Sequence, residues 1–361
     1  MSIQKSTSGS VVSADLIRVV AVFAVLVFHA SVNAAFIASS YEGVAVWRGV
    51  VYNIYLCFGH MGVPLFIMLS GALLLVPSKK DEDLGVFFKK RFSRIGLPFL
   101  FWWVIYFLWD VYVERQPVTQ AFIVNGITSG TYVTFWYLYM LAGLYLITPM
   151  LRVMVSHFTD KHFKYFICLW VIGTMVTSWV KFLSGWQYAI DGNLFVIPLC
   201  VGYFIIGAYL VKVKIQRRTL VALTSLGFIL TAIASYLIRG YHENALDFFQ
   251  IYTSPTIMLS SVSLFLLINS YTKPKNTLQI EKKPSWTQRT IQLISKNGLP
   301  IYLLQMIPLS LIKHGFFGFA INGNTVDPII GIPILTILTL ILSLMIIIPL
   351  KKIPGLKKLI G

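Results

Sequence analysis

The chain has 361 residues, of which 57 % are hydrophobic, 15 % aromatic and only 12 % charged. Soluble domains carry about twice that charged fraction, and no water-soluble core of this size could absorb runs such as Val19–Phe28, Leu97–Trp109 and Ile329–Leu350. A net charge of +17 raises the question of a nucleic-acid partner, which the distribution of that charge answers in the negative.

A bilayer removes the burial problem, because a helix pairs every backbone polar group within itself. The apolar runs are continuous rather than alternating, which excludes a porin-like barrel. The expected fold is therefore an all-α polytopic membrane protein with about ten transmembrane helices and no extramembrane domain. Taking about 20 apolar residues per span, the helices fall near 13–37, 48–76, 95–113, 133–153, 164–182, 194–211, 219–238, 250–270, 298–317 and 329–349. That leaves a cytoplasmic tail over 1–12, a membrane domain over 13–349 and a basic tail over 350–361. The first apolar stretch is too long for the h-region of a cleavable signal peptide. The segment Tyr271–Asn297 reads as a basic surface linker, and no internal repeat of the transporter kind is evident.

Alternating the spans from an inside start puts 25 of the Lys and Arg residues on the inner side and five on the outer. Cytoplasmic loops carry the cationic excess in membrane proteins, so both termini are expected inside a bacterial-type inner membrane. The basic excess is then a topology signal with some anionic-lipid contact, and no nucleic-acid partner is needed. Cys57, Cys168 and Cys200 are isolated within apolar runs and read as apolar filler. No metal site is expected.

Ionisable groups inside a membrane span are costly and mark functional sites by default. The first span, DLIRVVAVFAVLVFH, holds Arg18 and His29. Eleven residues amount to about three turns and roughly 16 Å of rise, so both lie on one face. Arg18 belongs at the cytoplasmic mouth and His29 deep in the bundle. Asp15, three residues before Arg18, can pair with it and fix its direction. In the second span, GHMGVPLFIMLSGALL, Gly59, Gly62 and Gly71 permit close helix approach and Pro64 predicts a kink. Ser70 sits near the inner end, and His60 lies at a depth comparable to His29, able either to relay a proton or to bond a backbone carbonyl. The segment FFKKRFSRIGLP brings Arg91 and Arg94 to the inner mouth at helical spacing, a pair suited to bidentate phosphate binding. Lys89 and Lys90 read as anchors, and Trp136 and Tyr137 as interfacial belt residues.

The Arg18-x10-His29 spacing, the stretch PLFIMLSG, the Arg91-x2-Arg94 pair running into IGLP, and FWYLYMLAGLYL together resemble the membrane acyltransferase 3 family. The resemblance implies transfer of an acyl group, usually acetyl, from cytoplasmic acyl-CoA to a hydroxyl of a surface or lipid-linked polysaccharide. It implies that His29 and Arg18 are essential and that the Arg91–Arg94 pair handles acyl-CoA; the reading of the residues adds Asp15 to the catalytic group, Ser70 to acyl-CoA binding, and His60 and Trp136 as secondary candidates. No cofactor is held; acetyl-CoA or another acyl-CoA is a co-substrate. The implied partners are acyl-CoA, a polysaccharide or lipid-linked glycan acceptor, and membrane lipids. GLPIYLLQ ends in Gln305 where many relatives carry His, which leaves that position without an assigned role. His29 could act as general base on the acceptor hydroxyl or accept the acyl group itself. A transporter or flippase of a polysaccharide intermediate is the competing reading; it explains the helices and the deep His but not the phosphate-suited pair at the mouth.

Overall fold

The computed structural model describes residues 7–35, 46–75, 82–126, 133–184, 198–238, 251–271, 285–321 and 325–361. The segment around residue 193 and residues 272–284 of the 271–297 linker lie outside them. Among the described residues the chain is helical and contains no strand.

The helices are α1 (Thr7–Ala35), α2 (Val46–His60), α3 (Gly62–Leu74), α4 (Leu84–Arg91), α5 (Leu97–Tyr112), α6 (Gln120–Asn125), α7 (Trp136–Ser156) and α8 (Asp160–Leu183). They continue with α9 (Leu199–Leu210), α10 (Arg217–Ile238), α11 (Pro255–Ser270), α12 (Trp286–Lys296), α13 (Gly298–Leu304), α14 (Met306–Lys313), α15 (Pro328–Leu350) and α16 (Leu356–Ile360). Seven stretches of the described residues are long and apolar enough to cross a bilayer, from Ser13–Val32 to Pro328–Leu350. Where further spans were expected near 194–211, 250–270 and 298–317, the helices are shorter: α9 has 12 residues, α11 has 16, and α13 and α14 divide the third at Gln305.

α1 is the hub, packing against α2, α3, α11, α12, α13 and α15. Glycine sets how close its neighbours come. A Cβ on Gly59 would meet the Phe28 backbone and one on Gly62 the Val25 side chain, so α2 and α3 lie directly on α1. α3 in turn meets α9 backbone to backbone. A Cβ on Gly71 would collide with the Phe204 carbonyl, and one on Gly207 with the Met68 carbonyl. Small residues at crossings are how helices associate where burial from water supplies no drive.

The expected span over 48–76 breaks at Met61, and Pro64 sits in the first turn of α3, where a missing N–H leaves no bond unmade. The third span starts earlier than position 95. Asp83 caps α4 by accepting from the Val86 amide at 2.8 Å, and the helix runs through Leu84–Tyr112. Within it Phe92–Gly96 forms a π-helical turn. Pro98 cannot donate to the carbonyl of Arg94 four residues earlier, which relaxes the ladder there. The end of the 271–297 linker also departs from expectation: it forms α12, opened by a reciprocal cap between Ser285 and Gln288. The basic tail folds as α16 and returns to α5, where the Trp102 indole donates to the Ile360 carbonyl at 3.3 Å.

Candidate active site

α1 is uninterrupted from Thr7 to Ala35, so Arg18 and His29 share one helix face as their spacing requires. Arg18 is held by two partners. Its guanidinium donates to the Asp15 carboxylate at 3.0 Å and to the Ser295 hydroxyl at 2.6 Å, and Ser295 donates to the same Asp15 oxygen at 2.6 Å. This three-membered ring ties the foot of α1 to the end of α12. It fixes the direction of a long cation that would otherwise sample many rotamers.

Arg91 ends α4 and Arg94 lies in the π-turn. They come together with Arg18 around one cavity of about 230 Å³, walled also by Ser70, Tyr137, Tyr145, Lys296 and Tyr302. Four cations from three segments of the chain thus face a single space. The Arg91 guanidinium lies 5.2 Å from the Phe87 ring and 5.6 Å from the Tyr145 ring, and its Nε is buried without a hydrogen-bond partner. Among the described residues no carboxylate lies within ion-pair distance of Arg91 or Arg94.

The cavity extends along α7. Tyr145, Leu141 and Tyr137 are spaced four apart, placing them on one stripe about 12 Å long. Tyr137 and Tyr302 stand with ring centroids 5.2 Å apart, and the Tyr302 hydroxyl donates to the Thr134 carbonyl at 2.6 Å. Tyr137 is 5 % exposed, so it is a wall of the cavity and not the interfacial belt residue the sequence suggested. The FWY run shows only that aromatics begin the helix; the side that each one faces comes from the packing.

His29 and His60 are brought together elsewhere. The Phe28 ring meets the His29 ring edge-on at 5.2 Å and the His60 ring at 4.7 Å. His60 Nδ1 donates to the Leu56 carbonyl at 2.9 Å, which leaves Nε2 as the acceptor nitrogen of a neutral ring. His29 is buried and does not line the cavity. Apolar core residues Val22, Val25 and Leu26 occupy α1 between Arg18 and His29. Trp136 stacks on Tyr252 with ring planes 9° apart and centroids 5.6 Å apart, away from the cavity wall.

Sequence reasoning did not select Ser295, Lys296, Tyr145, Tyr302 or Arg152. Lys296 and Arg152 were counted only as topology charges. For Arg152 a signal existed, since it follows TPML inside an apolar helix and intramembrane arginine is a site candidate by default.

Among the described residues the chain is an all-helical bundle of membrane-spanning length, with a cationic cavity at one place and a buried His29 beside His60 at another. The acyltransferase domain of the acyltransferase 3 family matches residues 11–348, nearly the whole chain, and the protein belongs to that family. It is a membrane acyltransferase. No curated protein and no solved structure matches it.

Proposed function

We propose that this enzyme moves an acetyl group from cytoplasmic acetyl-CoA to a hydroxyl of a surface or lipid-linked polysaccharide. The observation that carries the reading is the convergence of Arg18, Arg91 and Arg94 on one cavity from separate segments of the chain. Guanidinium forks match phosphate oxygens in pairs, and the nucleotide end of acyl-CoA carries several phosphate groups. Arg91 and Arg94 grip those phosphates, with Arg18, Lys296 and Ser70 around them. The pantetheine arm follows the α7 stripe toward Tyr137 and Tyr302. Passage beyond that aromatic pair brings the thioester to His29.

There the acceptor oxygen attacks the thioester carbonyl and His29 takes the hydroxyl proton. The carbon–sulfur bond breaks, and the departing CoA thiolate recovers the proton as a thiol. General-base assistance of this kind contributes about 10²–10⁴-fold in rate. Asp15 and Ser295 position Arg18. With the mouth on the cytoplasmic side, donor and acceptor reach the reacting centre from opposite faces of the membrane.

The test is release of CoA thiol from acetyl-CoA by the purified protein with a hydroxyl-bearing glycan acceptor. Replacing Arg91 and Arg94 together by alanine should weaken acetyl-CoA binding while sparing the acceptor, since each charge-assisted contact is worth about 1.5–3 kcal/mol. Unchanged acetyl-CoA affinity in a well-folded double variant would reduce the pair to membrane anchors.

A further inference from the structure

Arg152, in α7, is 3 % exposed, and a buried charge that loses its partner is strongly destabilising. Three separate elements engage it. Its Nε donates at 2.7 Å to the carbonyl of Leu74, in the last turn of α3, where a helix leaves carbonyls without internal partners. Its Nη1 pairs with Glu82 Oε2 at 2.9 Å, just ahead of α4. Its flat face lies over the Phe87 ring, 4.6 Å from the centroid. Arg91 lies against the same ring at 5.2 Å. Phe87 itself is fully buried.

We infer that Arg152 is a positioning residue for the acyl-CoA site: it locks Phe87 and Glu82 and so sets where Arg91 stands. The inference rests on reading Arg91 as a ligand of the donor phosphates. Two consequences follow from the contacts. Phe87 and Arg91 are one turn apart on α4, so a shift of the ring moves the surface on which the Arg91 guanidinium lies. The carboxylate of Glu82 is also consumed: Oε2 by Arg152 and Oε1 by Lys90 at 3.0 Å. Glu82, just ahead of α4, is thereby kept from pairing with Arg91. Lysine could not replace Arg152, because one ammonium cannot supply an Nε bond, a terminal ion pair and a planar face together.

The experiment is a double-mutant cycle on acetyl-CoA binding by the purified full chain, using Arg152→Lys, Arg91→Ala and the pair. Each single change should weaken binding about tenfold, and the double by well under the hundredfold that independent sites give, because both losses pass through Arg91. The turnover number at saturating acetyl-CoA should stay within about twofold for Arg152→Lys, the loss appearing in KM. A purely structural arginine would lower thermal stability and leave acetyl-CoA affinity alone, and that result overturns the inference. Additive losses overturn it as well. If Arg152→Lys does not fold, Phe87→Leu removes the shared face while keeping both hydrogen-bond partners of Arg152; unchanged affinity there overturns the inference equally. No effect of Arg91→Ala by itself would overturn the acyl-CoA reading, whereas a loss in Arg91→Ala with an additive cycle overturns only the coupling.

Discussion

Ser295 stands 277 residues from Arg18 in the chain, yet its hydroxyl accepts from the Arg18 guanidinium at 2.6 Å while donating to Asp15. The contact joins the first helix to the end of α12 and presents Arg18 to the cavity as a fixed cation. A hydroxyl between a guanidinium and a carboxylate satisfies both, accepting from one and donating to the other. It works here because serine is both donor and acceptor.

Replacing Ser295 by alanine should therefore separate orientation from charge. The Asp15–Arg18 pair survives at 3.0 Å, so the net charge of the mouth is unchanged. The lost hydrogen bonds should cost about 0.5–1.5 kcal/mol each. The expected outcome is a several-fold rise in the KM for acetyl-CoA with a small fall in thermal stability. A change confined to stability would mean that Arg18 needs only Asp15.

Glu82 gives a pH dependence whose sign can be worked out. The hydrogen bond from Lys90, and then that from Arg152, hold its carboxyl below the usual carboxylate range. A depressed acid contributes stability that is fully present above the unfolded value, about 4.3. That contribution is lost as the pH falls through the lower folded value. Glu82→Gln should thus be less stable than the parent at neutral pH, and the gap should close on acidification below about pH 4. Thermal unfolding of both proteins across that range measures it; a gap independent of pH would show that the carboxylate charge is not what Arg152 and Lys90 hold.

Much of this was readable from residues near each other in sequence. The Arg18–His29 stripe needed only helical periodicity, and α1 is one continuous helix. The glycines of the second span announced close approach, and Gly59, Gly62 and Gly71 all sit at helix crossings. Pro64 predicted a kink, and the span breaks three residues before it, at Met61. What escaped depends on pairs far apart in the chain. Nothing in SKNGLP says that Ser295 meets Asp15, and nothing in MLRVM says that Arg152 reaches Glu82, which is 70 residues earlier. The π-turn at Phe92–Gly96 is likewise a compromise between Pro98 and the packing around it. In one place a local signal was available and outweighed: SWTQ carries the spacing of a capping box, but the basic composition around it suggested a linker.

The cationic excess also predicts how the chain lies in the membrane. With 25 of the basic residues assigned inside against five outside, a reporter fused at Gly361 should read cytoplasmic and one near position 193 should read external. Finding Gly361 outside would put the Arg91 and Arg94 mouth on the wrong face for a cytoplasmic donor.

His29 offers the sharpest test, because its two possible employments differ by orders of magnitude in one measurement. It is buried on the same stripe as Arg18 and packed with Phe28 beside His60. As a packing residue it would contribute an interhelical hydrogen bond worth about 0.6 kcal/mol, the average found inside membranes. Glutamine keeps the size and polarity, so His29→Gln would then leave turnover nearly intact. As a general base it contributes about 10²–10⁴-fold in rate, and an amide cannot accept a proton near neutral pH. The expected result is a protein that inserts, keeps its thermal stability, binds acetyl-CoA with near-parental affinity and transfers the acyl group at least about 100-fold more slowly. In the parent, turnover should fall as the pH drops through the imidazole titration, because only the neutral ring takes the hydroxyl proton; His29→Gln should lack that limb. Turnover close to the parent's would remove His29 from the chemistry and transfer the role to His60, whose Nδ1 bond to Leu56 leaves Nε2 as the acceptor nitrogen.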